Sequence, residues 1–349
     1  MARPVVAIVS FRLGGSDGVA VEAAKWAGAL RALGFEVRTV AGEGPVDRLV
    51  PGLAMAAAEP PTPVEVEDAF AGADLVVVEN LCSLPLNERA AAVVAAVLRN
   101  RPAVLHHHDL PWQRPQYARY PPPPDDPSWA HVTVNERSRL ELARVGITAT
   151  VVRNAFDVDA PEGDRDGMRR SLGLDARTRL VLQPTRAIPR KNVAGGITLA
   201  EAIGATFWLL GPAEDGFAPE LECLVAAAHT PCLVGPADPG GPTDIADAYA
   251  ACDLVVLGST WEGFGNPAVE SAVYRRPLAI GPYPVAAELA AFGFRWFALD
   301  DAEASSAFLD DPDEALLEHN HLVARRHFAL RELPGRIGRV LDSAGWVFR

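Results

Sequence analysis

Two glutamates, Glu262 and Glu270, stand eight residues apart in the chain. The segment between them begins with Gly263, Phe264, Gly265, Asn266 and Pro267. Carboxylates are strong acceptors for hydroxyl groups. The free backbone N–H groups of a glycine loop at the start of a helix attract an anion. A ligand that carries both phosphate and several hydroxyls, such as a nucleotide sugar, would use both kinds of group.

The flanking sequence indicates that a strand, a loop and a helix start follow one another here. Residues 252–257 are mostly apolar and β-branched and end at Gly258, which is typical of a short buried strand. Proline is tolerated in the first turn of a helix, so Pro267 can begin one that residues 268–274 continue. The positive end of that helix dipole would then face the loop.

Two cations, Arg186 and Lys191, follow a predicted strand at residues 180–183. Ligands of parallel sheets gather beyond the carboxyl ends of the strands. Cations fixed there can stabilise the charge that develops on a leaving diphosphate, without a metal ion. The alternative interpretation is a pair of surface cations, which is the prediction for Arg190.

The amino-terminal half carries a glycine turn, Gly14-Gly15-Ser16-Asp17-Gly18, between a predicted strand at 5–10 and a predicted helix at 19–33. Such a turn lets the backbone approach a phosphate. A second feature is the run His106-His107-His108-Asp109 at the end of another predicted strand. Successive strand residues face opposite sides, so three adjacent histidines cannot converge on one ion, and no metal site is predicted.

Further polar residues follow the strands of this half and predict the side that binds an acceptor. Asn80 follows one strand, and Trp112 and Arg114 follow the histidine run. An aromatic ring beside polar groups suits a sugar face, although ordinary packing explains Trp112 equally well. Arg114, together with Arg119, favours an anionic acceptor.

Composition restricts the class of protein. The 349 residues are 49% hydrophobic and 22% charged, as expected of a globular chain with two domains. The net charge of −13 and the lack of a lysine-rich run argue against nucleic-acid binding. No segment reaches the ~20 apolar residues of a membrane helix. Four cysteines without metal-ligand spacing, and no signal-peptide pattern, favour a cytoplasmic protein with buried free thiols.

Strand and helix signals alternate through both halves, which predicts an α/β chain with two parallel sheets. The polar stretch at 157–166 is the predicted linker, so the domains are placed at residues 1–157 and 158–329. The tail at 318–340 is predicted to be helical and broken at Pro334-Gly335.

These motifs resemble the retaining GT-B glycosyltransferases of the GT4 type. Their hallmark of Glu, seven residues and Glu is complete from Glu262 to Glu270, and the spacing of Arg186 and Lys191 matches, although Thr185 and Asn192 replace the usual glycines. The resemblance implies a GT-B fold, in which two Rossmann-like doubly wound domains face each other across a cleft. It also implies a last helix, at about 330–349, that returns to the first domain.

The resemblance further assigns roles to residues. Glu262 and the following glycine amides hold the donor hexose, Glu270 binds the ribose, and His108 lies near the donor C6 hydroxyl with Asp109 orienting it. The implied catalytic residues are His108, Arg186, Lys191 and Glu262. The implied donor-binding residues are Gly15, Gly211, Gly263, Phe264, Gly265, Asn266 and Glu270, and the acceptor-binding residues are Ser16, Asp17, Asn80, Asp109, Trp112 and Arg114.

The predicted reaction moves a hexose, with retention, from a GDP-mannose or UDP-glucose type of donor to a hydroxyl of a small, anionic or glycosidic acceptor. No metal or other cofactor is expected. The glycine turn, Glu79-Asn80 and the histidine run are similar to a GT4 subgroup that includes mannosylglucosylglycerate synthases. The alternatives are a nucleotide-sugar epimerase or hydrolase on the same fold, and a non-catalytic sugar-binding protein.

Overall fold

The computed structural model describes residues 3–15, 17–237 and 243–348. These residues form two compact units. The first contains the described residues up to Ala155 together with those from Leu330 onward, and the second is Phe156–Ala329.

The first unit is built on a parallel sheet. Its seven described strands are β1 (Val5–Arg12), β2 (Glu36–Glu43), β3 (Arg48–Leu49), β4 (Leu75–Glu79), β5 (Ala103–His107), β6 (Trp129–Thr133) and β7 (Ala149–Val151). They lie in the order β3-β2-β1-β4-β5-β6-β7. The central strands are continuous apolar runs because both faces of the sheet are covered. Along β1, Val6 and Ile8 enter one hydrophobic core, whereas Ala7 and Val9 enter the other.

The second unit repeats this plan with a smaller parallel sheet. Its six described strands are β8 (Leu180–Gln183), β9 (Thr206–Leu209), β10 (Cys232–Val234), β11 (Leu254–Leu257), β12 (Leu278–Ile280) and β13 (Phe297–Ala298). Their order is β10-β9-β8-β11-β12-β13. The two-residue strands β3 and β13 were not predicted, since two residues carry no readable alternation.

Helices connect the strands of both units. In the described residues they are α1 (Gly18–Ala32), α2 (Pro63–Ala69), α3 (Glu88–Leu98), α4 (Glu136–Arg144), α5 (Arg165–Ser171), α6 (Val193–Ala202), α7 (Ala218–Ala227), α8 (Ile245–Ala251), α9 (Asn266–Val273), α10 (Pro284–Ala290), α11 (Ala302–Asp310), α12 (Glu314–His327) and α13 (Leu333–Ser343). Most begin at an Asp or Asn whose side chain accepts a hydrogen bond from a backbone N–H of the first turn.

The predicted break at Pro334 is wrong by a few residues. The interruption lies before Leu333, and Pro334 sits inside the first turn of α13, where its missing N–H removes no helical bond. Leu333, Ile337 and Leu341 then follow a helical spacing and pack into the same core as Trp26 of α1. The last helix is therefore part of the first unit.

Two expectations about the chain as a whole can be compared with the structure. Within the described ranges, no helix combines the length and the apolar character that crossing a membrane requires. The expectation of four buried thiols is wrong, because Cys82 and Cys252 are buried, Cys232 is half-buried and Cys223 is exposed.

Candidate active site

The conformation of the loop between β11 and α9 is stabilised by a tyrosine that packs against it. Gly265 precedes α9 with φ of 94°, and a Cβ added to it would lie 2.2 Å from the Tyr283 hydroxyl. That hydroxyl donates a hydrogen bond of 3.2 Å to the Phe264 carbonyl. Only glycine fits at 265, because the conformation is left-handed and the space behind it is filled. The backbone amides of residues 263–266 are thereby set at the helix start.

Glu262 is buried in this loop and is surrounded by donors. It accepts hydrogen bonds from the Lys191 ammonium, from Arg190 Nη1 at 3.0 Å and from Ser259 Oγ at 2.5 Å. Burial alone would raise the pKa of Glu262, but the charges of Lys191 and Arg190 and these hydrogen bonds outweigh burial and lower the pKa. Glu262 is therefore a fixed carboxylate.

The prediction that Arg190 is a surface cation is wrong. Its side chain is 23% exposed and also donates to the Trp261 carbonyl at 2.8 Å. Lys191 is more deeply buried, and burial lowers its pKa, opposed by the charge of Glu262. Arg190 and Lys191 both donate to the ionised carboxylate of Glu262. The second unit therefore holds two cations next to the glycine loop.

The backbone explains why Asn192 can stand where the resemblance implies a glycine. Asn192 has φ of 49°, in the left-handed region that glycine and asparagine tolerate best. Its side chain caps α6 by accepting from the Gly195 N–H at 3.1 Å. Asparagine thus keeps the turn that follows Lys191 and adds a helix cap.

Arg186 forms an ion pair with Glu214, a partner that the sequence did not indicate. The side chains of Arg186 and Glu214 are 28% and 30% exposed. Gly211 explains how the two loops come together, since a Cβ at this residue would lie 2.6 Å from the Thr185 carbonyl oxygen. Gly211 therefore has a packing role beside the predicted donor-binding one.

Glu270 lies in α9 and accepts a hydrogen bond of 2.8 Å from the Tyr249 hydroxyl. Tyr249 is fully buried and stacks on Tyr274 at 4.9 Å between ring centroids. Burial, and next the charge of Glu270, raise the pKa of Tyr249 well above its ordinary value, so the tyrosine remains a donor. This contact was not predicted, because Tyr249 belongs to another element, α8.

In the first unit, the glycine turn leads into α1. Asp17 caps this helix through the Val19 and Ala20 N–H groups and also pairs with Arg12 at 3.0 Å. Gly15 is exposed. Ser16 lies outside the described residues. Asp17 therefore has a structural role in addition to the acceptor-binding role predicted for it.

The histidine run divides between the two faces of β5, as the strand geometry predicts. Glu79 of β4 is paired with His106 in the sheet, and their side chains meet on one face. Glu79 Oε2 accepts from His106 Nδ1 at 2.9 Å and from His108 Nε2 at 2.8 Å. Asp109, which is predicted to orient His108, accepts from Arg114 Nη2 at 2.5 Å, and its charge acts on His108 as well.

The pKa values within this cluster depend on burial and on the contacts among its three side chains. Burial would raise the pKa of Glu79, but the two histidines outweigh it and lower the pKa to about 2. Burial lowers the pKa of His106, whereas the hydrogen bond and charge of Glu79 overcome burial at His108 and raise its pKa. The contacts with Glu79 thus favour the protonated form at His108 more than at His106.

His107 faces the other side of β5 and belongs to a separate hydrogen-bonded chain. Ser83 Oγ lies 2.6 Å from His107 Nδ1, His107 Nε2 lies 2.9 Å from His131 Nδ1, and His131 Nε2 lies 3.1 Å from Asp125 Oδ1. Burial lowers the pKa of both rings, so both are neutral. An ionised Asp125 can only accept, so each link runs from Ser83 toward Asp125.

The remaining predicted acceptor residues are largely occupied by the protein itself. The Asn80 side-chain oxygen accepts from the His108 and Asp109 backbone N–H groups, at 3.1 and 3.4 Å. Trp112 packs on a small apolar cluster that contains Leu110 and Leu142, and its Nε1 donates to Glu141 at 2.9 Å. The packing alternative for Trp112 accounts for these contacts.

Glu79, His106 and His108 also offer three atoms that lie within 4.8 Å of one another, a spacing compatible with a metal ion. His106 and His108 converge, although His107 does not. Strand alternation excluded a site made by all three histidines, but the prediction did not consider these two alone. In the structure the same atoms hydrogen-bond one another through two protons.

No protein-family model matches the chain. Over 96% of its length it is 25% identical to the mannosylglucosylglycerate synthase of Thermotoga maritima, and the match covers 99% of that relative. An Anabaena protein named HepE, solved in complex with UDP-glucose, has a TM-score of 0.71 at 20% identity, covering 97% of this chain and 99% of that one.

Sucrose-phosphate synthase from Thermosynechococcus elongatus has a TM-score of 0.74 at 15% identity, covering 98% of this chain and 99% of that one. The predicted α/β architecture with two Rossmann-like domains is confirmed by these matches. The chain has the GT-B fold and is a homologue of a glycosyltransferase.

Proposed function

We propose that this protein is a retaining hexosyltransferase of the GT4 type that uses a nucleoside-diphosphate sugar and needs no metal ion. The observation that carries the proposal is the buried, ionised Glu262, which is held by Lys191 and Arg190 at the glycine loop before α9. Phosphate alone would not require a carboxylate at this position, whereas a sugar hydroxyl does.

The second unit provides a group for each part of the donor. The amides of Gly263, Gly265 and Asn266 lie at the start of α9, where a helix attracts an oxyanion. Lys191 and Arg186 supply positive charge for the diphosphate, and Glu270, held by Tyr249, supplies acceptors for ribose hydroxyls. Glu214 pairs with Arg186, and in the proposed complex Arg186 would contact the diphosphate as well.

The proposed reaction is an exchange of two bonds at the anomeric carbon. The bond to the diphosphate oxygen breaks, and a bond to the acceptor hydroxyl oxygen forms on the same face of the sugar. The acceptor proton passes to the leaving diphosphate. The products are a glycoside and a nucleoside diphosphate, whose developing negative charge the fixed cations stabilise.

We place a small anionic glycoside on the acceptor side. The Thermotoga relative is named for a product that contains glycerate, which carries a carboxylate. In the first unit, Arg12 and Arg114 lie near the carboxyl ends of β1 and β5, each beside a carboxylate that an incoming anion could exchange with. Glucosylglycerate, with GDP-mannose or UDP-glucose as donor, is the first combination to test.

Thermal shift with a panel of nucleotide sugars would identify the donor, since a ligand that binds only the folded state raises the melting temperature. Release of nucleoside diphosphate is then measured with and without glucosylglycerate. A transferase releases it only, or much faster, with acceptor present. Equal release without acceptor would indicate a hydrolase, a changed donor sugar an epimerase, and binding without turnover a sugar-binding protein.

A further inference from the structure

A buried glutamate on the first unit's sheet has two hydrogen bonds that converge on one of its oxygens. Glu79 is fully buried, and its Oε2 accepts from His106 and His108 at 2.9 and 2.8 Å. Its other oxygen, Oε1, has no hydrogen-bond partner among the described residues. An ionised carboxylate with such incomplete pairing is expensive to bury, so its charge must be balanced by a close cation.

His108 is that cation rather than His106. The two rings lie 4.4 Å apart between centroids, so they cannot both be charged at low cost. His106 packs at a tilt against Trp26, with 4.4 Å between ring centroids, and its Nε2 is buried without a partner among the described residues, which suits a neutral ring. His108 is 9% exposed and lies just beyond the carboxyl end of β5.

The groups facing His108 from the neighbouring elements favour the same assignment. They are Glu79 on β4, His106 on β5, Glu22 on α1, and Asp109, which follows His108 in the chain. Glu22 is buried and paired with Lys25, and Asp109 is paired with Arg114. Three carboxylates thus lie near the ring, and Glu79 accepts a hydrogen bond from it directly.

We propose that Glu79 is a positioning residue that keeps His108 in its cationic form, so that the N–H at His108 Nδ1 is left to donate to a substrate oxygen. Nε2 is committed to Glu79, and within the described residues Nδ1 has no hydrogen-bond partner. Asn80 fixes the ring's backbone by accepting from the His108 N–H at 3.1 Å. The substrate contact rests on the proposed glycosyl transfer, whereas the charge state does not.

An NMR titration of the full chain labelled with ¹⁵N-histidine tests the charge state of His108 and needs no substrate. His108→Gln assigns the signal. In the wild type we expect both His108 nitrogens to be protonated at neutral pH. In Glu79→Gln, which keeps the shape and removes the charge, we expect the ring to be neutral at the same pH.

His131→Gln is the matched control, because it disturbs the histidine chain on the opposite face of β5. It should leave the titration of His108 unchanged. With a working transfer assay, Glu79→Gln should also move the alkaline limb of kcat to lower pH, because the active form would be the protonated one. A structural role would lower kcat equally at every pH.

A neutral His108 in the wild type at pH 7 would overturn the proposal and leave glycosyl transfer untouched. The wild-type titration decides this even where Glu79→Gln fails to fold. A nitrogen shift typical of metal coordination, with one equivalent of zinc in the purified protein, would overturn it in favour of a metal site. A cationic His108 in a protein without transferase activity would count against the proposed function only.

Discussion

Each compact unit buries one glutamate between two basic side chains, and the two sets of partners differ in how they hold their charge. Glu262 lies between Arg190 and Lys191, whereas Glu79 lies between His106 and His108. Arginine keeps its charge at any pH the fold survives, but histidine loses its charge near neutrality. One carboxylate is therefore held by a permanent cation, and the other by a cation that pH can remove.

This difference matters because we expect the site around Glu262 to contact diphosphate oxygens and the site around Glu79 to contact hydroxyl oxygens. A diphosphate carries negative charge throughout the reaction, so permanent cations suit Glu262's surroundings. A histidine can release a proton or a hydrogen bond at physiological pH, which suits a group that handles hydroxyls. The first test therefore compares the two glutamates directly.

Glu79→Gln and Glu262→Gln should each destabilise the protein by about 3–5 kcal/mol near pH 6, since each breaks a buried charge pair. Because the pKa of His108 is raised, the stability it contributes is present below its ordinary value of 6.5 and is lost as pH rises through the folded value. The pKa of Glu262 is lowered, so its contribution is present above about 4.3 and persists at alkaline pH.

Urea unfolding of the three proteins at pH 6 and pH 9 measures this. The deficit of Glu79→Gln should shrink at pH 9, whereas the deficit of Glu262→Gln should shrink less, because Arg190 keeps its charge there although burial lowers the pKa of Lys191. Parallel behaviour of the two variants would remove the distinction between the clusters.

Lys191→Ala removes one cation beside Glu262. The loss should cost about 2–4 kcal/mol of transition-state stabilisation, which lowers kcat for transfer by roughly 30- to 1000-fold. Arg186→Ala should act similarly. Arg89→Ala removes a surface ion pair, with 62% of the arginine side chain exposed, and should leave turnover unchanged. Wild-type turnover in Lys191→Ala would refute the donor-site assignment.

Glu270→Gln should weaken donor binding by about 1–3 kcal/mol, because hydrogen bonds from ribose hydroxyls to a carboxylate are charge-assisted. Tyr249→Phe, which removes only the hydroxyl that orients Glu270, should have a smaller effect. A 2′-deoxyribose donor should lose affinity for the wild type and much less for Glu270→Gln. Losses that simply add would mean that Glu270 does not touch the ribose.

Excess EDTA should leave transfer unchanged. In the proposed site, Lys191 and Arg186 supply the positive charge for the diphosphate. Loss of activity that one specific divalent ion restores would contradict this prediction. It would also direct attention to Glu79, His106 and His108.

The sequence predicted the parallel α/β architecture and the glycine loop because both depend on short-range patterns. Strand alternation also predicted that His107 would face away from its neighbours. It did not reveal Glu79 as the partner of His108, since that contact depends on the register between β4 and β5. Tyr249 and Glu214 were also missed, because each contacts its partner from a different part of the chain.

Arg190 and Asp109 show where local interpretation fails. A second basic residue beside Lys191 looks like a solvated charge, yet the loop turns it onto Glu262. Asp109 follows His108 in the chain and its charge acts on that ring, but it also pairs with Arg114, a partner that the sequence did not indicate. Residue type was informative at both positions, whereas the partners depended on how the loops fold.

The chain of Ser83, His107, His131 and Asp125 allows an exposed acid to specify the tautomers of two buried rings. Its donors all point toward Asp125, whose side chain is 53% exposed, because a carboxylate can only accept. An amide at this position could also donate, so Asp125→Asn would allow the three links to reverse together with every heavy atom in place. The proton positions on two buried rings are thus set by the chemistry of one side chain at the surface.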